Sequence, residues 1–238
     1  MKIIIASDLH GNWEALQTLP PNADYYIISG DLVDYGPDSA ACLDLVRKNN
    51  WPAVRGNHDQ AVGYQTDCGC SYLMKEYSIA SREQVLKTLD ENQLEFLRNL
   101  PLERYLEISG CRFFVTHALP GDLYRYLSAD VKDDILAEIV RPVAADVIIW
   151  GHTHIPYIRR IGRKTIINPG SAGQPRDGIP QASWAELSDG NIKLCRSPYP
   201  CQTTIEKIER LPLAPHIRQG LARVLATGRT PKQEGQCC

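Results

Sequence analysis

Long apolar runs are absent from this chain. A membrane-crossing helix needs about 20 consecutive apolar residues, and no stretch of the 238 residues approaches that length. The opening run from Met1 to Ala6 turns polar at Ser7 and Asp8, too soon for the core of an export signal. The expected location is therefore cytoplasmic, with no membrane as partner. A surplus of one charge is absent too: 26 Lys and Arg stand against 28 Asp and Glu, a formal net charge of -2. Without a broad basic field, no stable nucleic-acid partner is implied. A small phosphorylated substrate remains compatible, because its recognition is local to a site. Internal repeats, low-complexity blocks and a clear inter-domain linker are also missing.

A disulfide framework is not expected either, although eight cysteines are present. With 43% hydrophobic and 23% charged residues, a chain of this length buries a core without covalent staples. Free thiols are the better reading in the absence of an export signal. Cys68-Gly69-Cys70 leaves one residue between its thiols, where zinc ribbons and thioredoxin motifs leave two. The terminal Gln236-Cys237-Cys238 looks like a double-cysteine prenylation tail but does not fit the C-a-a-X pattern, and it reads as a frayed end.

What is present is an alternation of short apolar runs with segments of helical period, the mark of an α/β protein. Strand-like runs occupy Lys2–Ser7, Tyr25–Ser29, Ala53–Arg55, Cys111–Thr116 and Asp146–Trp150. Helical spacing covers Trp13–Leu19, Ser39–Lys48, Tyr77–Leu89, Gln93–Leu100 and Asp130–Val140. From Ile155 onward the pattern becomes hairpin-linked strands at Ile155–Ile161, Lys164–Ile167, Ala182–Leu187 and Asn191–Arg196, with Ser188–Asn191 as turn chemistry. Residues 1–212 are expected to form one domain, followed over 213–238 by a helix (Leu213–Ala226) and a flexible tail.

Five of the six histidines sit in short polar clusters, most of them just past an apolar run. The clusters are Asp8-Leu9-His10, Gly30-Asp31-Leu32-Val33-Asp34, Gly56-Asn57-His58-Asp59, Thr116-His117 and Gly151-His152-Thr153-His154. In an open α/β sheet the carboxyl ends of the strands lie along one edge, so clusters in a shared sheet converge there. Taken singly, each cluster is an ordinary turn or a satisfied core histidine. Taken together, they are an inventory of imidazole, carboxylate and amide ligands without thiolate, which suits Mn, Fe, Co, Ni or Zn. The Asp-x-His and His-x-His spacings place both members of a pair on one side of an extended segment. The glycines before Asp31, Asn57 and His152 are expected to let the backbone turn sharply.

These clusters, in this order, resemble the calcineurin-like metallophosphoesterase superfamily: Asp-x-His, Gly-Asp-x-x-Asp, Gly-Asn-His-Asp, a lone His and Gly-His-x-His. The resemblance spans residues 1 to 196 and is closest to the small prokaryotic phosphoesterase branch, which also carries the loop found here as Asn168–Gly178. It implies a four-layer α/β/β/α sandwich of two mixed sheets flanked by helices. It also implies two divalent metal ions, Mn²⁺ foremost, with Fe, Zn, Co or Ni as alternatives. Asp8, His10, Asp31 and His154 would hold one ion; Asp31, Asn57, His117 and His152 the other, with Asp31 bridging. A metal-activated hydroxide would then attack phosphorus in line.

Within that frame His58 is the expected proton donor to the leaving oxygen, since imidazole titrates near neutral pH. Asp34 or Asp59 would orient it. Arg55 and Asn57 are candidate substrate contacts, although Arg55 equally suits a local structural pairing. Protein phosphatases of the superfamily follow Gly-Asp-x-x-Asp with an arginine; here Tyr35 takes that place. Arg matches a phosphomonoester dianion bidentately, whereas a singly charged diester carries an extra organic group that a tyrosine ring could stack on. Small phosphodiesters or nucleotides are therefore the expected substrates. The alternatives are a phosphomonoesterase of the serine/threonine protein phosphatase type and a non-catalytic scaffold of the same fold.

Overall fold

Alternation along the first strand sets the layering. The β-branched run Lys2–Ala6 forms β1, in which Ile3 and Ile5 face one way and Ile4 and Ala6 the other, all fully buried. A strand buried on both faces must lie in an inner layer, with a sheet on one side and helices on the other. The computed structural model, which describes residues 1–231, has that arrangement.

After β1 come α1 (Trp13–Leu16), β2 (Tyr25–Ile28), α2 (Ser39–Lys48), α3 (Asn57–Tyr64), α4 (Tyr72–Thr88) and α5 (Glu91–Asn99). Then follow β3 (Glu103–Ile108), β4 (Cys111–Thr116), α6 (Asp133–Val140), β5 (Val147–Ile149), β6 (Tyr157–Ile161) and β7 (Lys164–Asn168). The chain continues through β8 (Ala182–Ser188), β9 (Asn191–Ser197), α7 (Cys201–Glu209) and α8 (Pro215–Thr227). One sheet has the order β2-β1-β8-β9 and the other β3-β4-β5-β7-β6. Both are mixed. β1 runs parallel to β2 and antiparallel to β8, with Ile5 opposite Ile27 and Ala185; β4, β5 and β7 are parallel, with β3 and β6 antiparallel at the edges.

Ile3, Ile5, Ile27 and Ala185 of the first sheet meet Phe113, Val115, Ile149 and Ile167 of the second in the central core. The outer face of the first sheet, through Ile4, Ala6 and Ile28, packs with α2 and α5 residues Leu43, Val46 and Leu97. Phe114, Ile148 and Ile166 cover the outer face of the second sheet together with Leu136 and Val140 of α6. The chain is thus a four-layer sandwich. Helices α7 and α8 add a further apolar cluster in which Ile208, Ile217 and Leu221 enclose Tyr35 and Met74.

Four elements differ from expectation. Ala53–Arg55 forms only one bridge, Ala53 beside Ile28, because Arg55 N–H turns away to the Pro101 carbonyl. Helix α3 starts at Asn57, inside a cluster read as loop; it is buried on most sides, so no apolar stripe marks it. The edge strand β3 and helix α7 were not foreseen either. The expected tail from residue 232 onward, with the C-terminal cysteine pair, lies outside the described residues. No helix among the described residues is long and apolar enough to cross a membrane.

Candidate metal centre

The polar clusters come together where both sheets end, so the expectation of a single shared sheet edge is corrected. Asp8, His10 and Asp31 follow β1 and β2 of one sheet, His117, His152 and His154 follow β4 and β5 of the other, and Asn57 opens α3. Strand alternation is not what aligns the pairs. Asp8, His10, Asp31, His152 and His154 have φ of 53°, 44°, 53°, 68° and 60°. Non-glycine residues seldom adopt this left-handed region, and being held there costs on the order of 1–3 kcal/mol each. Five such residues at one place mark a site that the surrounding fold holds under strain.

Only one of the three glycines acts through its torsion. Gly30 has φ +85°, whereas Gly56 is extended at φ -89° and ψ 175° and serves by lacking a side chain: a Cβ there would lie 2.0 Å from Asp31 Oδ1. Gly151 likewise admits Ser7 and Asp8 closely.

The ligand-bearing atoms form two adjoining groups. His10 Nε2 lies 3.2 Å from His154 Nε2, which is 3.2 Å from Asp8 Oδ1. Asn57 Oδ1 lies 2.9 Å from His117 Nε2 and 3.0 Å from His152 Nδ1. Asp31 Oδ2 stands between the groups, 3.7 Å from His10 Nε2 and 3.2 Å from His117 Nε2.

Contacts behind these atoms aim them. The Nδ1 atoms of His10, His117 and His154 lie 3.1, 2.7 and 2.5 Å from the carbonyls of Val33, Ser29 and Gln174, an arrangement that puts the proton on Nδ1. The Nε2 lone pairs of His10 and His154 therefore face each other, which is unfavourable without a cation between them. Asp8 Oδ2 accepts the His152 N–H at 3.1 Å, while buried Asp8 Oδ1 has no hydrogen-bond partner. Asp31 is divided in the same way, its Oδ1 accepting the His58 N–H at 2.9 Å. The orphaned oxygen, the facing imidazoles and the N/O donor set fit divalent cations.

The charges agree. Burial would raise Asp8 and Asp31, but His154 beside the first and His117 beside the second hold both below the usual carboxylate range. Burial holds His10 and His154 down and pushes His152 down to about 3, leaving all three neutral and able to coordinate. His117 goes the other way: burial opposes its charge, but Asp31 lifts it to about 10.

A family model for the calcineurin-like phosphoesterase superfamily domain matches residues 1–190. The chain belongs to that superfamily. Members are metal-dependent phosphoesterases, and this chain is one of them. An uncharacterized protein of Methanocaldococcus jannaschii is 33% identical over 88% of this chain and 93% of its own length. Phosphodiesterase YfcE of Escherichia coli is 26% identical over 79% of this chain and 88% of its own length. The crystal structure of a metallophosphoesterase from Sphaerobacter thermophilus superimposes with a TM-score of 0.80, at 26% identity, over 96% of this chain and all of that one.

In this phosphoesterase His58 points its Nδ1 at Asp34 Oδ2, 2.7 Å away. Asp34 is itself held by the hydroxyls of Ser78 and Ser81 and by the Tyr35 N–H. Burial would lower His58, but the Asp31 charge and the Asp34 bond raise it to about 9. Asp59 does not touch His58. It sits at the third position of α3, where its carboxylate accepts the N–H groups of Gly56, Asp31, Leu32 and Val33 and clamps the Asp31 loop to the helix. Burial and the Asp31 charge push Asp59 up to about 7, against the pull of the Gly56 and Leu32 N–H groups and of His117.

Arg55 is not brought among the ligands. Its guanidinium bonds the Arg98 carbonyl at 2.6 Å and the Tyr64 hydroxyl at 3.1 Å, which makes it a structural tie between α3 and α5. Tyr35 is 2% exposed, edge-on to His10 and tilted against His58, so its ring offers no free face for a substrate to stack on. Arg176 was missed in the sequence. Its guanidinium lies 5.7 Å from the centroid of the Tyr35 ring, bonds Gln174 Oε1 at 2.6 Å, and reaches the hydroxyl of Tyr126, whose ring packs on His152. The clue was an arginine inside the Asn168–Gly178 loop. That loop also braces two of the strained turns: Ser171 Oγ donates to the Asp8 carbonyl at 2.7 Å and Asn168 Nδ2 to the Gly151 carbonyl at 2.8 Å.

Proposed function

We propose that the chain is a dinuclear phosphoesterase acting on small phosphodiesters or nucleotides. In this reading Asp8, His10, Asp31 and His154 hold one divalent ion and Asp31, Asn57, His117 and His152 hold a second, with Mn²⁺ as the first candidate. The observation that carries it is the position of Asp31 Oδ2 between His10 and His117, one oxygen within reach of both donor groups. Bound there, the ions supply Lewis-acid activation of water and charge neutralisation on the phosphoryl oxygens. The chain's own residues do the rest. His58 gives a proton to the leaving oxygen, and Asp34 fixes the imidazole by its Nδ1–H. Ser78 and Ser81 in turn hold Asp34.

The phosphodiesterase name of the Escherichia coli relative supports the diester preference. Arg176 favours a second reading, phosphomonoester hydrolysis. Its guanidinium lies over the ring of Tyr35, the residue that stands where protein phosphatases keep their arginine, and it can pair with a dianion. One panel tests both. Mn²⁺-loaded enzyme is assayed on a bis-aryl diester, a cyclic nucleotide and the matching monoesters, beside Arg176→Gln. The proposal expects the diester to have the higher kcat/KM in the wild type, and the variant to change it less than about threefold. A wild type that prefers monoesters and loses that preference in Arg176→Gln replaces the first reading with the second.

A further inference from the structure

Between the left-handed end of α3 at Gln65 and the start of α4, the chain makes a tight turn through Cys68-Gly69-Cys70. Gly69 has φ +64° and lies against the ring of Tyr124, where a Cβ would come within 2.7 Å of it. The turn folds the two thiols onto each other, and the Cys68 S–H donates to Cys70 Sγ at 2.7 Å. A bonded pair of sulfurs sits about 2.05 Å apart, so the two ends of the turn must still draw together by roughly 0.6 Å to join. Cys68 is 1% exposed and Cys70 half-buried, so small molecules reach the pair from the Cys70 side.

The turn is tied to the metal centre in two ways. The Cys68 carbonyl accepts the Asn57 Nδ2–H at 2.7 Å, and this bond leaves Asn57 Oδ1 facing His117 and His152. Cys68 Sγ also lies 3.4 Å from Ser78 Oγ, the hydroxyl that bonds Asp34.

We propose that Cys68 and Cys70 are a modification site: a peroxide joins them in a disulfide, and the bridged turn releases Asn57 and weakens the second metal position. The bridge stands on the thiol geometry; its effect rests on the ligand role proposed above for Asn57. In the first step the Cys68 thiolate attacks a peroxide oxygen. An S–O bond forms, the O–O bond breaks, and the departing hydroxide takes up a proton as water. In the second, Cys70 attacks Cys68 Sγ. The S–S bond forms, the S–O bond breaks, and the sulfenic oxygen leaves as water with the Cys70 proton. Two thiols are oxidised and one peroxide is reduced to two waters. Closing the bridge rotates the Cys68 peptide and pulls its carbonyl away from Asn57. Loss of such an outer contact reduces metal affinity about 10–100-fold.

The full-length protein, loaded with Mn²⁺, is treated with hydrogen peroxide, desalted and read three ways: peptide mass, bound metal, and turnover of a bis-aryl phosphodiester. The expected result is loss of two hydrogens in the peptide holding Cys68 and Cys70. One metal equivalent should become at least about tenfold weaker, turnover at limiting Mn²⁺ should fall with it, and dithiothreitol should restore all three. Cys70→Ser should match the reduced wild type in metal content and turnover and ignore peroxide. A peptide that stays reduced, or that passes only to sulfinic acid, overturns the site. A bridge that forms with both metal equivalents held as tightly as before overturns its coupling to Asn57. Should the reduced protein bind two ions yet hydrolyse no ester, the proposed activity fails while mass and metal content still decide the bridge.

Discussion

Asp31 uses its two oxygens for different tasks. Oδ1 is fixed by the His58 N–H, and Oδ2 is left to face His10 on one side and His117 on the other. Replacing one oxygen by an amide group puts a donor where cations are expected, so Asp31→Asn should lose both metal equivalents and all turnover. Metal analysis of the folded variant decides this, and two tightly bound ions with normal turnover would sink the bridging role. His58 is expected to act on the leaving group alone. His58→Ala should keep its metals and lose about 10²–10⁴ in turnover, with a much smaller loss for nitrophenyl esters, which need little protonation. Equal losses for good and poor leaving groups would argue against proton donation. The residue types of the candidate metal centre could be picked out because carboxylate, imidazole and amide in fixed order leave few chemical options. Arg176 was not, since one arginine in a turn-rich loop has no pattern that sets it apart from a surface charge.

At the scale of elements, α3 does more than carry Asn57. Its first turn is joined to the loop after β2 by Asp59, whose carboxylate takes four N–H groups, and by the close approach of Gly56 to Asp31. Asp59→Ala would strand those donors in a buried place. The expected cost is at least about 3 kcal/mol of stability, with metal affinity lowered about 10–100-fold; thermal melts with and without Mn²⁺ measure both. A variant as stable as the wild type would remove the clamp from this account. Sequence pattern hid α3 because Asn57, His58, Asp59, Ala61, Val62 and Gly63 are all buried, so neither an apolar stripe nor a polar face appears. The strands that are short continuous apolar runs, β1 and β4 above all, were readable to within a residue. The backbone at Asp8, His10, His152 and His154 was not, because spacing says which residues are near each other but not that the chain enters a strained left-handed turn to aim them.

Across the whole molecule, one sheet carries the carboxylates and the other carries three of the four expected imidazole ligands. Bringing Asp31 against His117 raises the imidazole to about 10, so a proton occupies Nε2 at neutral pH until a cation replaces it. Binding at the second position should therefore release close to one proton. Its apparent affinity should rise about tenfold per pH unit below pH 10, as titration calorimetry in buffers of differing ionisation heat would show. Affinity that does not vary with pH would exclude His117 as a ligand. The pairing of β1 with β8 has a consequence for synthesis. During synthesis β1 has one neighbour, β2, close behind it, but its other edge waits for Ala182–Ser188, and the Asp8 turn waits for Ser171. Pairings this distant in sequence are slow to form. A growing chain thus exposes the edge of Ile3–Ile5 until β8 has followed it, and the Asp8 turn of the candidate metal site is braced only once Ser171 has been made.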